Sequence, residues 1–236
     1  FFRKHLCCHF SKYDFIKSLK DKHKGERCFV IATGPSLKIE DINMLKNELT
    51  ISMNSINKCF EQTDWRPNYY MIQDTVVFQS LMPDIAWTNE GTIRMCSHLI
   101  EKKCDKPQDM YVFPVDTLGN IAKARVNKFK FSSDCYARIY DGNTITYSAI
   151  QMAVYMGCTE IYLLGVDCNY QLPVTHAFGY ENSASKDIHD KKDEVYKIEE
   201  RMIGAYKEAD KYAKEHNIKI YNATRGGMLE VFPRVS

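Results

Sequence analysis

Cys28-Phe29-Val30-Ile31-Ala32-Thr33-Gly34-Pro35-Ser36 is the stretch that decides the fold. Its first five residues are apolar without interruption, which is typical of a strand buried on both faces of a parallel sheet. The Gly-Pro pair ends that strand. Ser36 then stands at the N-cap position of a helix that the apolar spacing predicts as far as Asn47. Strand, turn and helix in this order indicate an α/β domain.

Strands and helices alternate along the rest of the chain. Further strands are predicted at 49–55, 69–73, 92–97, 110–115, 160–166 and 218–223. A helix at 144–156 is apolar on most of its circumference and therefore buried, whereas a helix at 195–216 is long and charged. We predict a Rossmann-like α/β fold, a mostly parallel sheet flanked by helices. It forms one domain over residues 1–236, with 1–23 as a basic and aromatic helical extension.

Composition excludes several classes of protein. Lys plus Arg number 32 against 30 Asp plus Glu, a net charge of +2 that predicts no nucleic-acid partner. The nine cysteines are scattered without metal-ligand spacing, so we expect reduced thiols, no metal site and a cytoplasmic location. No apolar run reaches the roughly 18 residues that span a bilayer. Aromatic and basic residues in 1–23 predict a helix packed on the domain or a peripheral contact with the inner face of a membrane. The sequence leaves open whether the protein forms a homo-oligomer.

Polar residues stand at the ends of four predicted strands. In parallel sheets ligands bind beyond the carboxyl ends of the strands, so these residues are expected to meet on one rim. They are Thr33 to Ser36, Asn54-Ser55, Gln73-Asp74, and the run from Gly165 through Asp167 to Tyr170.

The turn after the first strand has the features of a phosphate-binding segment. Gly34 allows close approach to a ligand, Pro35 stiffens the turn, and Ser36 adds a hydroxyl beside free N–H groups at a helix start. We therefore expect Thr33 to Ser36 to form the phosphate-side wall of a nucleotide site. The alternative is a turn that merely starts a helix. The turn matches neither a Walker A loop nor GxGxxG.

Three further positions fit the same site. The amide of Asn54 suits a base or a ribose, and the carboxylate of Asp74 suits a ribose hydroxyl or Mg²⁺. Thr144 and Thr146 place hydroxyls at the start of the buried helix, where an anion is stabilised. For each of them ordinary turn formation or helix capping is the alternative.

Two residues are candidates for a general base. His176 lies on a loop that follows the carboxyl end of a strand, where an imidazole is ready to accept a proton near pH 7. A solvated surface histidine is the alternative. Glu200 is the second candidate, although the surrounding lysines are typical of a solvent-facing helix.

Three segments together resemble the MptE-like family, named after the archaeal hydroxymethylpterin pyrophosphokinase. They are Lys22 to Leu37, Asn143 to Tyr170 and Ile220 to Val235. Bacterial members of that family often accompany surface-polysaccharide genes.

The Gly-Pro-Ser-Leu turn, the strand Arg94 to Ser97 and the segment Gly157 to Asp167 are also similar to bacterial CMP-sialic-acid-dependent sialyltransferases, which have a modified GT-A fold. This resemblance implies that Thr33 to Ser36 and Asn54 hold CMP, with Thr33 in place of the asparagine usual there. It also implies that Tyr170, and Tyr180 as a second candidate, contact the donor phosphate. The histidine base of those enzymes corresponds in chain position to the vicinity of Glu200.

The resemblances lead to one expected function and two alternatives. We expect a glycosyltransferase that moves a nonulosonic acid such as sialic acid from a CMP donor to a surface-glycan acceptor and needs no cofactor. The first alternative is an ATP-dependent pyrophosphokinase acting on a pterin alcohol, with Mg²⁺ on Asp74 or Asp167. The second is a nucleotide-binding protein without catalysis.

Overall fold

The computed structural model describes residues 11–85, 91–118, 129–169, 176–179 and 192–235, with backbone alone at 83–85 and 192–198. Within these ranges the strands are β1 Arg27–Ile31, β2 Leu49–Met53, β3 Tyr69–Ile72, β4 Ile93–Ser97, β5 Tyr111–Phe113, β6 Val115–Asp116, β7 Ile139–Tyr140, β8 Glu160–Leu164 and β9 Lys219–Asn222. Seven of them form one parallel sheet, and β6 pairs with β7 in a short second sheet. The predicted α/β, Rossmann-like fold is confirmed.

Helices flank the main sheet. They are α1 Asp14–Ser18, α2 Ile39–Asn43, α3 Thr75–Ile85, α4 His98–Lys103, α5 Ile145–Tyr155 and α6 Lys192–Glu215, together with a 3₁₀ helix at Asn54–Cys59. None of the helices in the described part of the chain has the length and apolar content needed to cross a bilayer.

The strand order of the main sheet is β5-β4-β3-β2-β1-β8-β9. The chain therefore builds outward from β1 in one direction as far as β5 and returns to the other side of β1 with β8. Cys28 shows this in the register, because it lies opposite Leu49 of β2 and Ile161 of β8. Such a reversal leaves a crevice between the carboxyl ends of β1 and β8.

Each face of the sheet has its own hydrophobic core. One core packs α1, α5 and α6 against the sheet, and the other packs α2, α3 and α4. Helix α5 is buried on nearly all sides. Its Gln151 is 0% exposed, and the side chain is satisfied because Oε1 accepts from the N–H groups of Ser132 and Tyr140 while Nε2 donates to the carbonyls of Tyr140 and Tyr147.

The structure corrects the predicted helix after β1. That helix was expected to begin at Ser36 and reach Asn47, but α2 spans only Ile39–Asn43, and its N-cap residue Lys38 makes no side-chain cap. The helix starts later because the Leu37 N–H donates to the Gly34 carbonyl at 3.1 Å in a separate turn, after which Lys38 is extended, with φ −116° and ψ 155°.

Several predicted strands are shorter than expected, and the backbone explains two of them. The strand predicted at 49–55 stops at Met53, because Asn54 has φ +47° and starts the 3₁₀ helix. The strand predicted at 110–115 is divided between β5 and β6 by Pro114, which has no N–H to donate to a ladder.

The described part of the N-terminal extension packs on the domain. Ile16 and Leu19 are fully buried, and the Phe15 ring stacks on Tyr111 of the edge strand β5 with centroids 3.5 Å apart. The first ten residues, on which the predicted membrane contact also depends, lie outside the described residues.

Candidate functional site

A cleft of about 530 Å³, including the solvent at its mouth, lies where the strand order reverses. Residues that follow the carboxyl ends of β1, β2 and β8 meet there. These are three of the four strand ends predicted to converge, whereas Gln73 and Asp74 after β3 are outside the described lining. Helix α5 contributes its first turn, and α6 contributes two side chains. The lining consists of Ala32, Thr33, Gly34, Met53, Asn54, Thr144, Ile145, Thr146, Gly165, Val166, Asp167, Cys168, Asn169, His176, Met202 and Tyr206.

The turn after β1 is packed against Asp167. The N–H of Gly34 donates to the carbonyl of Gly165 at 2.9 Å, and the Ser36 hydroxyl donates to Oδ2 of Asp167 at 2.8 Å. A Cβ at position 34 would lie 2.0 Å from that same Oδ2 and 2.4 Å from the Gly165 carbonyl oxygen. Glycine is therefore required here because a carboxylate and a neighbouring backbone approach so closely.

This arrangement assigns different tasks to the four residues of the turn. Thr33 and Gly34 line the cleft, whereas Pro35 and Ser36 are outside the described lining. Ser36 supports the cleft indirectly, through its hydrogen bond to Asp167. A direct phosphate contact by Ser36 stays a prediction.

Asp167 is a carboxylate at the cleft, with only 9% of its surface exposed. Burial raises the pKa of Asp167 above its ordinary value, and hydrogen bonds from the hydroxyl and N–H of Ser36 counteract part of that rise. A buried anion at this position is better suited to accept hydrogen bonds from ligand hydroxyls than to contact a phosphate.

Asn54 reaches the cleft through a strained backbone. Its φ of +47° lies in the left-handed region, which asparagine tolerates better than most residues. The hydroxyl of Tyr70 donates to the Asn54 carbonyl at 2.8 Å and fixes this turn at the end of β2. The structure thus brings Asn54 to the cleft together with Thr33 and Gly34, as expected from the sequence.

The helix N-terminus that faces the cleft belongs to α5. Thr144 is its N-cap residue and accepts from the Thr146 N–H at 3.3 Å. The Thr146 hydroxyl is 3.5 Å from the sulfur of Met53, and both threonines line the cleft. Since the N-terminus of a helix carries about half a positive charge, this is the place where the described lining favours an anion.

A C-terminal loop supports the turn after β8, and reasoning from the sequence gave it no role in the site. The N–H of Met228 donates to the Asp167 carbonyl at 2.7 Å, and the N–H of Val166 donates to the Thr224 hydroxyl at 3.0 Å. Gly227, with φ +72°, packs so tightly that a Cβ would lie 2.8 Å from the same carbonyl oxygen. In this loop, the adjacent glycines Gly226 and Gly227 are the one feature of the sequence that indicates such a close approach of two backbone segments.

The turn after β8 also carries a thiol. Cys168 has φ +49° and lines the cleft beside Asp167. Burial raises the pKa of the Cys168 thiol to about 12, so it remains protonated at neutral pH.

His176 is the candidate base that the structure brings to the cleft. Its neighbour Ala177 donates an N–H to the Thr33 carbonyl at 2.8 Å, which ties this short segment to the turn after β1. Burial lowers the pKa of His176 below its ordinary value of 6.5, so the imidazole is neutral at pH 7.

Two other candidates, Glu200 and Asp74, lie outside the described lining of the cleft. Glu200 is exposed on α6, and Met202 and Tyr206 are the residues of that helix in the described lining of the cleft. Asp74 is exposed and caps α3, since its Oδ1 accepts from the N–H groups of Val76 and Val77 at 2.8 and 2.9 Å. The predicted phosphate contact at Tyr170, and its alternative at Tyr180, lie outside the described residues.

These features define an open, parallel Rossmann-like sheet with its cleft at the switch point of the strand order. The chain belongs to the MptE-like family, because the family model described as 6-hydroxymethylpterin diphosphokinase MptE-like matches residues 7–172. No curated protein matches the chain in sequence.

Several solved structures share the fold. The MAf glycosyltransferase from Magnetospirillum magneticum AMB-1 aligns with a TM-score of 0.57 and 14% identity, over 95% of this chain and 38% of that one. The present chain thus spans well under half the length of that protein. The sialyltransferase CstII from Campylobacter jejuni aligns in its complex with cytidine-5′-monophosphate at a TM-score of 0.52 and 18% identity, over 90% of this chain and 85% of that one. Its complex with CMP-3FNeuAc gives 0.50 and 18%, over 89% and 86%.

Proposed function

We propose that the protein is a glycosyltransferase that transfers a nonulosonic acid such as sialic acid from a CMP-activated donor to a surface-glycan acceptor. The observation that carries the proposal is the make-up of the cleft. The N-terminal turn of α5, the amide of Asn54, the buried carboxylate of Asp167 and the neutral imidazole of His176 line one cavity. The fold shared with two glycosyltransferases supports this choice.

The charges around the cleft favour a donor with one phosphate. The α5 N-terminus supplies about half a positive charge to an anion, while Asp167 contributes a carboxylate to the same lining. A CMP-activated nonulosonic acid carries one negative charge on its phosphate diester, which can lie at α5 while its ribose hydroxyls donate to Asp167, and a second on the sugar carboxylate. A nucleoside triphosphate would concentrate more negative charge on its phosphates, close to the carboxylate of Asp167.

The proposed reaction is a displacement at the anomeric carbon of the donor sugar. The bond from that carbon to the phosphate oxygen breaks, and its electron pair stays on the phosphate, which leaves as CMP. The acceptor hydroxyl oxygen forms the new bond to the same carbon and gives its proton to the neutral ring nitrogen of His176. The first turn of α5 stabilises the charge on the departing phosphate.

The second candidate function is diphosphate transfer from ATP to a pterin alcohol, which the family membership favours. That chemistry uses Mg²⁺ held by carboxylates and phosphates. The two carboxylates available for it do not converge, because Asp74 caps α3 at the surface whereas Asp167 is buried and accepts from Ser36. The described residues therefore do not fit a shared Mg²⁺ site.

A nucleotide-binding protein without catalysis would use the same cleft but would not depend on His176.

A nucleotide panel separates these functions. We expect CMP, and CMP-sialic acid more strongly, to raise the melting temperature without added metal, and we expect mass spectrometry to show release of CMP when a glycan acceptor is present. Stabilisation by ATP that requires Mg²⁺, with no effect of CMP, would establish the diphosphokinase function instead. Binding of CMP-sialic acid without turnover across an acceptor panel would favour the non-catalytic alternative.

A further inference from the structure

The turn that leads into α5 is held by the side chain of Asp141. Its Oδ1 accepts from the N–H of Asn143 at 2.9 Å, which closes the turn just before the N-cap residue Thr144. Asn143 has φ +60°, a left-handed conformation that needs such a contact to persist. Gly142 between them packs on Tyr147, because a Cβ there would lie 2.6 Å from the tyrosine ring. The direction in which α5 begins is thus set by this turn.

A second contact connects the same carboxylate oxygen to the sheet. Gln73 follows β3 and donates from Nε2 to Oδ1 of Asp141 at 3.2 Å. Its Oε1 accepts from the Ser148 hydroxyl, one turn along α5, at 2.7 Å. The backbone carbonyl of Gln73 accepts from the Ser97 hydroxyl at 2.6 Å, which fixes Gln73 to the end of β4. Asp141 therefore joins the first turn of α5 to the carboxyl ends of β3 and β4.

This network ends at the cleft without being part of its lining. Thr144 and Thr146 contact the cavity, whereas Asp141, Gln73 and Ser148 are outside the described lining. Ser148 is 0% exposed, and Asp141 is half-buried, which raises the pKa of its carboxyl. Removing a carboxylate from water is costly unless it is hydrogen-bonded, and Asp141 accepts its bonds from the turn before α5 and from Gln73 after β3.

We propose that Asp141 is a positioning residue, which aims the first turn of α5 at the ligand phosphate through Asn143 and Gln73 without touching the ligand. The inference rests on the proposed function, because it takes the anion at α5 to be the phosphate of CMP. What it adds is a specific role for the hydrogen-bond acceptor at Oδ1, as distinct from the charge of the carboxylate.

The test compares two substitutions at one position. Asp141→Asn keeps an oxygen that can accept both hydrogen bonds but removes the charge, whereas Asp141→Ala removes the acceptor. By calorimetry we expect CMP affinity to fall about 10- to 100-fold in D141A, on the scale of a lost buried hydrogen-bond partner, and to stay within about 3-fold of the native value in D141N. Gln73→Ala should weaken CMP in the same direction. Asp134→Ala is the matched control, since Asp134 also accepts a backbone N–H, that of Ala137, in a loop outside the described lining.

A loss of affinity equal in D141A and D141N would overturn the proposal, because the charge would then be what matters. Unchanged affinity in both would overturn it as well. Amide hydrogen exchange provides a measurement that needs no ligand and remains informative if D141A is less stable. The amides of Asn143 and Thr146 should exchange at least 10-fold faster in D141A but not in D141N, relative to amides of β1. If native protein fails to bind CMP, the proposed function fails, and the exchange rates then decide only whether Asp141 orders the first turn of α5.

Discussion

Asn54 and Ser36 show how single side chains shape the cleft in different ways. Asn54 lines it, with a backbone at φ +47°, while Ser36 acts on it through the carboxylate of Asp167. An alanine at position 54 would combine loss of the amide with strain in the left-handed region, so Asn54→Gly is the better probe.

We expect Asn54→Gly to weaken CMP binding by about 1 to 3 kcal/mol through lost hydrogen bonds, with the fold retained. The measurement is a calorimetric titration with CMP. Asn217→Gly is the matched control, because Asn217 has φ +56° but is exposed beyond the end of α6. Equal affinity in the two variants would mean that the amide of Asn54 does not contact the nucleotide.

Ser36→Ala is expected to weaken CMP binding by about 1 to 3 kcal/mol as well, but by a different route. Without the Ser36 hydroxyl, one of the three hydrogen bonds that lower the pKa of Asp167 is lost, so its pKa rises further and the carboxylate is less firmly placed. Calorimetry at pH 7 measures the effect. Ser18→Ala, which removes an exposed hydroxyl bonded to the Phe15 carbonyl, should leave the affinity unchanged; unchanged affinity in S36A also would contradict the indirect role.

His176 gives a prediction with a defined pH dependence. His176→Ala should lower kcat by roughly 10² to 10⁴ fold while CMP affinity barely changes, because a base acts on the transition state. Burial lowers the pKa of His176, so the neutral, active form persists below pH 6.5. Activity should therefore be full above that pH and decline only as pH falls through the lowered pKa. Steady-state kinetics from pH 5 to 8 measures both effects.

Glu200→Gln is the control for the base assignment, since Glu200 is exposed on α6. Loss of activity in that variant, with His176→Ala still active, would show that the chain position of the sialyltransferase base is the better guide.

At the scale of elements, α6 contains Gly204, whose effect on stability depends on the neighbouring Phe129 ring. Gly204 lies inside this 24-residue helix, where alanine would ordinarily be favoured by about 1 kcal/mol. A Cβ there would lie 2.2 Å from Cε2 of the buried Phe129 ring. We expect Gly204→Ala to lower the free energy of unfolding by about 1 to 3 kcal/mol, because overpacking outweighs the gain in helix propensity.

Urea denaturation of Gly204→Ala measures this effect. The double variant with Phe129→Leu provides the check, since a smaller side chain should remove the clash and recover part of the loss. A stabilised single variant would show that the ring moves aside without cost.

Elements also show where the sequence was sufficient to predict the structure. Uninterrupted apolar runs predicted the ends of β1 and β8 within one or two residues. Such runs are typical of strands that are buried on both faces of a parallel sheet. The helix after β1 was overestimated because Lys38 is extended and separates α2 from Ser36, whose hydroxyl bonds Asp167, 131 residues away. No local pattern reports such a contact.

The candidate site follows the same rule. Thr33, Asn54, Thr144 and His176 were found because each follows a strand or starts a helix, and parallel topology brings these ends together. Met202, Tyr206 and the loop around Gly227 were missed because their roles depend on the angle at which later elements return to the cleft.

For the whole molecule, the cleft is assembled from segments that are far apart in the chain. Thr33 after β1, Asn54 after β2, Thr146 in α5 and Asp167 after β8 line a single cavity. A ligand that contacts all of them connects elements on both faces of the sheet. Binding should therefore stabilise the fold as one unit rather than a local region.

We expect CMP at about 100 times its Kd to add about 2.7 kcal/mol to the free energy of unfolding, a rise in melting temperature of roughly 5 to 10 °C. Urea denaturation should shift to a higher midpoint with an unchanged slope, because the surface exposed on unfolding stays the same. Hydrogen exchange should slow together at the ends of β1 and β8 and in the first turn of α5. A second transition in urea would mean that the fold does not unfold as one unit. Protection confined to one of these segments would mean that CMP binds away from the switch point, since a ligand in this cleft must contact the turns on both of its strands.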